Sequence, residues 1–239
     1  IADNAVGKVQ KKSILEKVKK ISYPLDETCA TDGLCGIACP VNIDTGVLVK
    51  ELRWQLNSKF ANRIASGIAN NMTVVTSLIR GIISLPHHIS KVFGYDSIER
   101  IAKGFYRVSD GILPLWTRYT PSGSKLIVQN SYPAKLTDAP KVVYFPSCIT
   151  RSMSGPSYGY EEKVDIPTKM LSLLHKAGYF VLIPEEKNKL CCGMAFSSKG
   201  FRKQAQEKES ELNEALLKVS NNGELPIVCD MSPCLLHMR

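Results

Sequence analysis

The sequence has no long hydrophobic run. Its longest stretch without charge, Ile64 to Ile79, carries Ser66, Asn70, Asn71, Thr73, Thr76 and Ser77. That is too polar and too short to span a bilayer. The first twenty residues lack the apolar segment of a secretory leader and hold Lys8, Lys11, Lys12, Lys17, Lys19 and Lys20 instead. A reducing, cytoplasmic compartment is the default expectation, with peripheral contact at the inner face of a membrane as an extension of it. No GxGxxG or other glycine-rich phosphate loop is present, so no flavin or nucleotide site is expected within this chain. No Ser/His/Asp arrangement is visible, so no catalytic residue is assigned. The net charge of +9 comes partly from the lysine-rich opening rather than from an Arg/Lys stripe interleaved with aromatics. Nucleic-acid binding is not expected. A solvated basic helix face accounts for the charge, with attraction to an acidic partner or anionic lipid second.

With 239 residues, 44% hydrophobic and 22% charged, the chain is long enough for one large domain or two modest ones with a buried core. It starts at Ile1 and stops a few residues after Cys234, and is expected to be a portion of a longer protein. Residues 1–60 form a first unit. Val9, Ile14, Leu15, Val18 and Ile21 have helical spacing over Val6 to Ile21, and Asp44 or Thr45 caps a helix with Val47, Leu48, Leu52 and Leu56 on one face. Residues 61–140 read as a helical linker region broken at Pro86 and Pro114, with Asp96 or Ser97 capping a helix and a Pro/Ser/Gly connector over 121–140. Ile68, Val74, Val75, Leu78, Ile79, Ile82 and Ile83 are expected in its bundle core, and a peripheral contact is placed near Lys103 and Arg107. From 141 to 239 the pattern is strand, helix, strand, helix, strand: Lys141–Phe145, a helix ending at Gly178, Tyr179–Ile183, a helix ending at Asn222-Gly223, and Pro226–Cys229. The fold class is α+β, with an all-helical N-terminal part and a C-terminal α/β part with a parallel sheet.

Eight cysteines are the most informative residues. In a reducing compartment they are metal or redox ligands before they are disulfides. Cys29, Cys35, Cys39 and Pro40 fit the first, third and fourth places and the closing proline of the ferredoxin run Cys-x2-Cys-x2-Cys-x3-Cys-Pro, with Asp32 in the second place. By the logic of two-cluster ferredoxins, Cys29 and Cys35 hold one 4Fe-4S cluster, with Asp32 as an additional ligand, while Cys39 reaches toward another. Zinc on three cysteines plus Asp32 is the competing reading. Structural zinc sites usually show two separated Cys pairs, and the Cys-Pro ending favours iron–sulfur. The second group is Cys148, Cys191-Cys192-Gly193, Cys229 and Cys234. Each falls at or after a predicted strand end. In a parallel sheet those ends share one edge, so the five thiols are expected to meet, and thiolates gathered there bind soft metals.

Cys191-Cys192-Gly193, with Cys148 upstream and Cys229 and Cys234 downstream, resembles the cysteine-rich CCG domain found in heterodisulfide reductase, in the iron–sulfur component of glycolate oxidase and in anaerobic glycerol-3-phosphate dehydrogenase. The segment Thr28 to Gly46 is similar to that of iron–sulfur-containing, FAD-linked D-lactate dehydrogenases, as are Tyr144–Ile149, Ser197–Phe201 and Cys229–Cys234. This resemblance implies an incomplete ferredoxin-like segment over 1–60, a helical linker region over 61–140 and a CCG domain over 141–239. It implies an oxidoreductase whose FAD and substrate turnover lie in a flavin-binding domain or subunit outside this chain, with electrons passed to a cytochrome or quinone. All eight cysteines and Asp32 would serve clusters. Four residues separate Cys229 from Cys234 where the heterodisulfide reductase form has two, which leaves Cys234 the least certain ligand. The rival readings are an iron–sulfur subunit of a glycolate, glycerol-3-phosphate or heterodisulfide-type complex, and a zinc-stabilised structural domain. His87-His88 reads as a surface pair, His175 as a last-turn residue suited to the helix dipole, and Trp54 and Trp116 as packing residues.

Overall fold

The computed structural model describes residues 28–125, 139–159 and 164–238. The helix expected over Val6–Ile21 lies outside them. The chain is α+β, with helices predominating over one small parallel sheet. Two units are distinguishable: residues 1–66 with 194–206, and residues 67–193 with 207–239.

In the first unit, α1 (Leu34–Ala38) starts from Gly33, whose φ of 75° is a left-handed conformation that suits glycine. The second helix, α2 (Thr45–Leu56), is capped by Asp44, whose carboxylate accepts from the Gly46 amide. The expected cap is therefore present, but the expected face is not. Val47 and Leu48 are exposed, and Gly46, Val49 and Arg53 are buried. Arg53 turns inward because its guanidinium donates to two backbone carbonyls, those of Ser198 and of Cys29, the latter at 3.0 Å. Helices α3 (Lys59–Asn70) and α8 (Met194–Ser198) and the start of α9 (Arg202–Val219) complete this region. Trp54 is half exposed, with the Arg202 guanidinium 4.6 Å above its ring.

Gly200 is the tightest backbone approach in the first unit. Its φ is +78°, and an added Cβ would lie 2.7 Å from the Arg53 carbonyl carbon and 2.8 Å from Arg53 Cβ, closer still to the Trp54 amide nitrogen. Neither backbone can retreat without unwinding a turn. Gly200→Ala is expected to lower the unfolding free energy by about 2–4 kcal/mol, the sum of the left-handed strain and overpacking. Urea unfolding measures it, and a loss below about 1 kcal/mol would show that α2 does not hold Gly200 this closely.

In the second unit, α4 (Met72–Phe93) continues through Pro86, where a break was expected. Side-chain donors occupy carbonyls around the proline: the His88 ring Nδ1–H donates to the Ser84 carbonyl at 2.8 Å and Ser90 Oγ to the Pro86 carbonyl at 2.6 Å. Gly94, at φ 79°, rather than Asp96 or Ser97, precedes α5 (Tyr95–Val108). Asp96 instead sits in the first turn and joins Glu99 in an ion pair with Arg118. The expected bundle core is also corrected: Val74, Leu78, Ile79 and Ile82 are exposed, while α4 buries Met72, Thr76, His87 and Ser90.

His87 is not a surface residue. Its Nε2–H donates to the Thr120 carbonyl at 2.7 Å, and its ring packs edge-on to Trp116, 5.1 Å away. Burial lowers its pKa, and the nearby positive charges of His88 and Lys91 add to this, outweighing the Thr120 carbonyl. A histidine whose folded pKa lies below its unfolded value of about 6.5 contributes stability above that value and loses it as pH falls through the folded one. Urea unfolding at pH 7, 6 and 5 is expected to show a steeper loss for the native chain than for His87→Gln. Parallel curves would remove His87 as the cause.

The sheet runs in the order β2-β1-β3, with β1 (Lys141–Phe145) central and parallel to both β2 (Phe180–Leu182) and β3 (Ile227–Cys229). Val142, Val143, Tyr144 and Phe145 are all buried, as a central parallel strand requires. Each fully buried aliphatic or aromatic side chain contributes about 1.5–3 kcal/mol. Helix α6 (Cys148–Ser152) follows β1 directly, capped by Ser147. Helix α7 (Ile166–Lys176) is capped by the buried Asp165, which accepts from Thr168 N and, through its other oxygen, from Lys125 N at 2.7 Å. Tyr144, Leu171 and Ile183 form a core cluster between strand and helix. His175 falls in the last turn of α7, as expected. The chain ends in α10 (Ser232–His237), so Cys234 is helical rather than in a loop. Among the described residues no single helix is long and apolar enough to cross a membrane.

Candidate metal centre

The first cysteine group is open. Cys35 is exposed, and Cys29 and Cys39 are half-buried. Asp44 links this loop to α2. Its Oδ1, which caps the helix, also accepts from the Cys35 thiol at 3.3 Å, and Thr45 Oγ1 donates to Cys35 Sγ at 3.2 Å. The Arg53 bond to the Cys29 carbonyl ties the loop's other end to the same helix. The backbone amides of Ile43, Val41 and Asn42 donate to Cys39 and lower its pKa, outweighing the effect of burial. A thiol held this way is ready to serve as a thiolate. Asp32 does a local job: its Oδ1 accepts from Leu34 N at 3.1 Å, at the start of α1.

The second group is dense. Cys191 Sγ donates to Cys148 Sγ at 3.8 Å. Cys192 also acts on Cys191, and Cys192 and Cys229 act on Cys234. Five thiols from four chain segments thus lie near enough to perturb one another. Each element supplies its part by a local rule. Cys148 opens the helix that Ser147 caps at the end of β1. Cys229 is the last residue of β3, and Cys234 is turned inward by the α10 helix. Gly193, at φ 85°, turns the chain after the vicinal pair. Cys191 and Cys192 are 1% and 3% exposed, so solvent hardly reaches them.

Crowding sets the protonation of these thiols. Contact with Cys191 and then burial push Cys148 far above the ordinary thiol range, and contact with Cys192 and Cys229 does the same to Cys234. For Cys191 the Cys148 contact lowers the pKa, but Cys192 and burial outweigh it and the net shift is upward. Cys229 is lowered, by donation from Cys234. Holding thiolates this close together needs positive charge among them.

Part of that charge is built in. Arg151 is 4% exposed, its Nε donating to the Ser147 carbonyl at 3.3 Å and its Nη2 to the Leu190 carbonyl. Its Nη1 is buried without a partner, and its charge acts on both Cys148 and Cys191. An orphaned donor of a buried cation beside buried thiols fits a thiolate-held group of net negative charge. Asp230 holds the frame. Its Oδ1 accepts from Ser147 N at 3.0 Å and Thr150 Oγ1 at 3.2 Å, and its Oδ2 from Tyr144 OH at 2.7 Å. One carboxylate thereby joins the end of β3 to β1 and α6. Arg151, Ser147, Thr150 and Asp230 do not stand out in the sequence. The available signal was a charged residue immediately beside or three residues after a cysteine at an apolar strand end.

Among the described residues no three His, Cys, Asp or Glu side chains are arranged to hold a single metal ion as they stand. A mononuclear site needs its ligands around one point at about 2.3 Å, whereas a polynuclear group takes a thiolate at each iron atom. No family model, no curated protein and no solved structure matches the chain.

Proposed function

We propose that this chain is the iron–sulfur electron-transfer portion of an FAD-linked dehydrogenase of D-lactate or a related 2-hydroxy acid. The observation that carries the reading is the grouping of thiols around Cys148 and Cys191, whose sulfurs are 3.8 Å apart and which Cys192, Cys229 and Cys234 join electrostatically, beside the partnerless Nη1 of Arg151. In this reading residues 141–239 form a CCG-type domain in which Cys148, Cys191, Cys192, Cys229 and Cys234 are the candidate ligands of 4Fe-4S chemistry. Cys29, Cys35 and Cys39 belong to a ferredoxin-like segment, with Asp32 as a further candidate ligand. FAD and substrate chemistry reside in a flavin-binding domain or subunit, and a cytochrome or quinone accepts the electrons.

Such clusters supply one-electron transfer. The residues of this chain supply its setting. Arg151 offsets thiolate charge from within the fold. Asp230 ties the end of β3 to β1 and α6, and so holds together the segments that carry Cys148 and Cys229. Burial of Cys191 and Cys192 keeps water away, which strengthens every electrostatic interaction there.

The test is anaerobic reconstitution of the purified chain with iron and sulfide, followed by iron, zinc and sulfide analysis and a visible spectrum before and after dithionite. Iron with matching sulfide and a band that bleaches on reduction are expected. Zinc at about one per chain, with no colour after reconstitution, would replace this reading with that of a zinc-stabilised structural domain.

A further inference from the structure

Helix α4 is built inside out. It buries Met72, Thr76, His87 and Ser90, three of them polar, while Val74, Leu78, Ile82, Leu85, Ile89 and Val92 are exposed. Their spacing of three and four residues puts them in one stripe. At 1.5 Å per residue it is roughly 27 Å long. The neighbouring α5 packs on α4 and repeats the feature in shorter form. Ile101, Phe105 and Val108 follow at intervals of four and three, and Ile112 lies four residues further on. All four are exposed, Val108 and Ile112 by 88% and 84%, and α5 has no buried residue at all. Single exposed apolar side chains are ordinary, but contiguous stripes mark an interaction surface.

Charge decides what covers it. Helix α4 contains no acidic residue, and its Lys91 is exposed, as are Arg100, Lys103 and Arg107 of α5. Of the three acids between Met72 and Leu115, Asp96 and Glu99 are taken up by Arg118, whose hydrogen bonds hold Glu99 below the usual carboxylate range; Asp110 is the third. Protein surfaces present charges of both signs, whereas an anionic bilayer presents an apolar interior behind a uniformly negative rim. We infer that the α4–α5 surface docks on an anionic membrane. The two stripes lie at the boundary of headgroups and acyl chains, and Lys91, Arg100, Lys103 and Arg107 meet the phosphates. In this inference the helices lie on the bilayer rather than across it. This inference rests on the surface and not on the thiol sites.

The test is sedimentation of the whole chain, under reducing conditions, with vesicles of phosphatidylcholine alone or mixed with phosphatidylglycerol. Binding to the mixed vesicles is expected to be at least about tenfold tighter than to neutral ones and to weaken with salt. Lys103→Glu with Arg107→Glu should remove at least about tenfold of that affinity. Ile82→Glu with Phe105→Glu, both at exposed positions, should abolish binding with the far-UV circular dichroism unchanged. Failure of the native chain to sediment with either vesicle overturns the inference, as does full binding by the Ile82/Phe105 variant. A dimer in light scattering that this variant dissociates, with no vesicle binding, overturns it in favour of a second copy on the stripes.

Discussion

Asp230→Ala is expected to lower the unfolding free energy by about 3–5 kcal/mol. The carboxylate accepts three hydrogen bonds, from Tyr144 OH, Ser147 N and Thr150 Oγ1. All three donors are buried, Tyr144 and Ser147 completely. A bond to a charged acceptor contributes about 1.5–3 kcal/mol, and a donor stranded in the interior costs the whole of its lost hydration. In the native chain burial, and then the Asp230 carboxylate, push the Tyr144 hydroxyl well above its ordinary range. The three donors come from β1, from the turn after it and from α6, so the loss should not stay local. The thiols of Cys148 and Cys229, attached to the two strands that Asp230 joins, should react faster with a thiol reagent in the native state. Urea unfolding and thiol-labelling rates together check this. A stability loss below about 1 kcal/mol with unchanged labelling would mean that the strand ends are held by packing alone.

Cys192→Ala is expected to remove the greater part of the iron and sulfide that the second cysteine group takes up in anaerobic reconstitution. Cys192 acts on both Cys191 and Cys234 and is thereby common to both parts of the group. Its loss leaves Cys148 with Cys191 and Cys229 with Cys234, too few thiols in either part to hold a polynuclear group. The metal-free fold should barely notice, since removing one small buried thiol costs about 1 kcal/mol, near the average for a point substitution. Cluster loading and stability are therefore separable readouts. Iron and sulfide uptake equal to that of the native chain would remove the second group from the proposed electron path.

The elements of the second unit were legible because their signals are local. Val142 to Phe145 is a short apolar run rich in β-branched and aromatic residues, as a strand buried on both faces must be. Gly178 and Asn222-Gly223 end their helices with positive φ, a conformation those residues tolerate. Asp44 caps α2 for an equally local reason, an amide two residues away. The sequence was misleading where a distant partner reversed a local preference. Pro86 sits inside a helix, with side-chain bonds to the Ser84 and Pro86 carbonyls beside it. His87 is buried with its Nε2–H donating to the Thr120 carbonyl, 33 residues on. The apolar stripe of α4 has the same period whether it faces a core or the outside, so periodicity could not tell that it is exposed.

By itself the sequence determined the strand–helix alternation, the parallel sheet that follows from it, and the placing of Cys148 and Cys229 at strand ends. These follow from short-range patterns and from the need for a crossover between parallel strands. Only the tertiary structure decided that β1 lies between β2 and β3, and that Cys148 meets Cys191 with Cys192, Cys229 and Cys234 close enough to perturb them. It alone put the buried charge of Arg151 and the triple acceptor Asp230 beside them. Such contacts join residues tens of positions apart, and their energy depends on burial and angle, which no local pattern records.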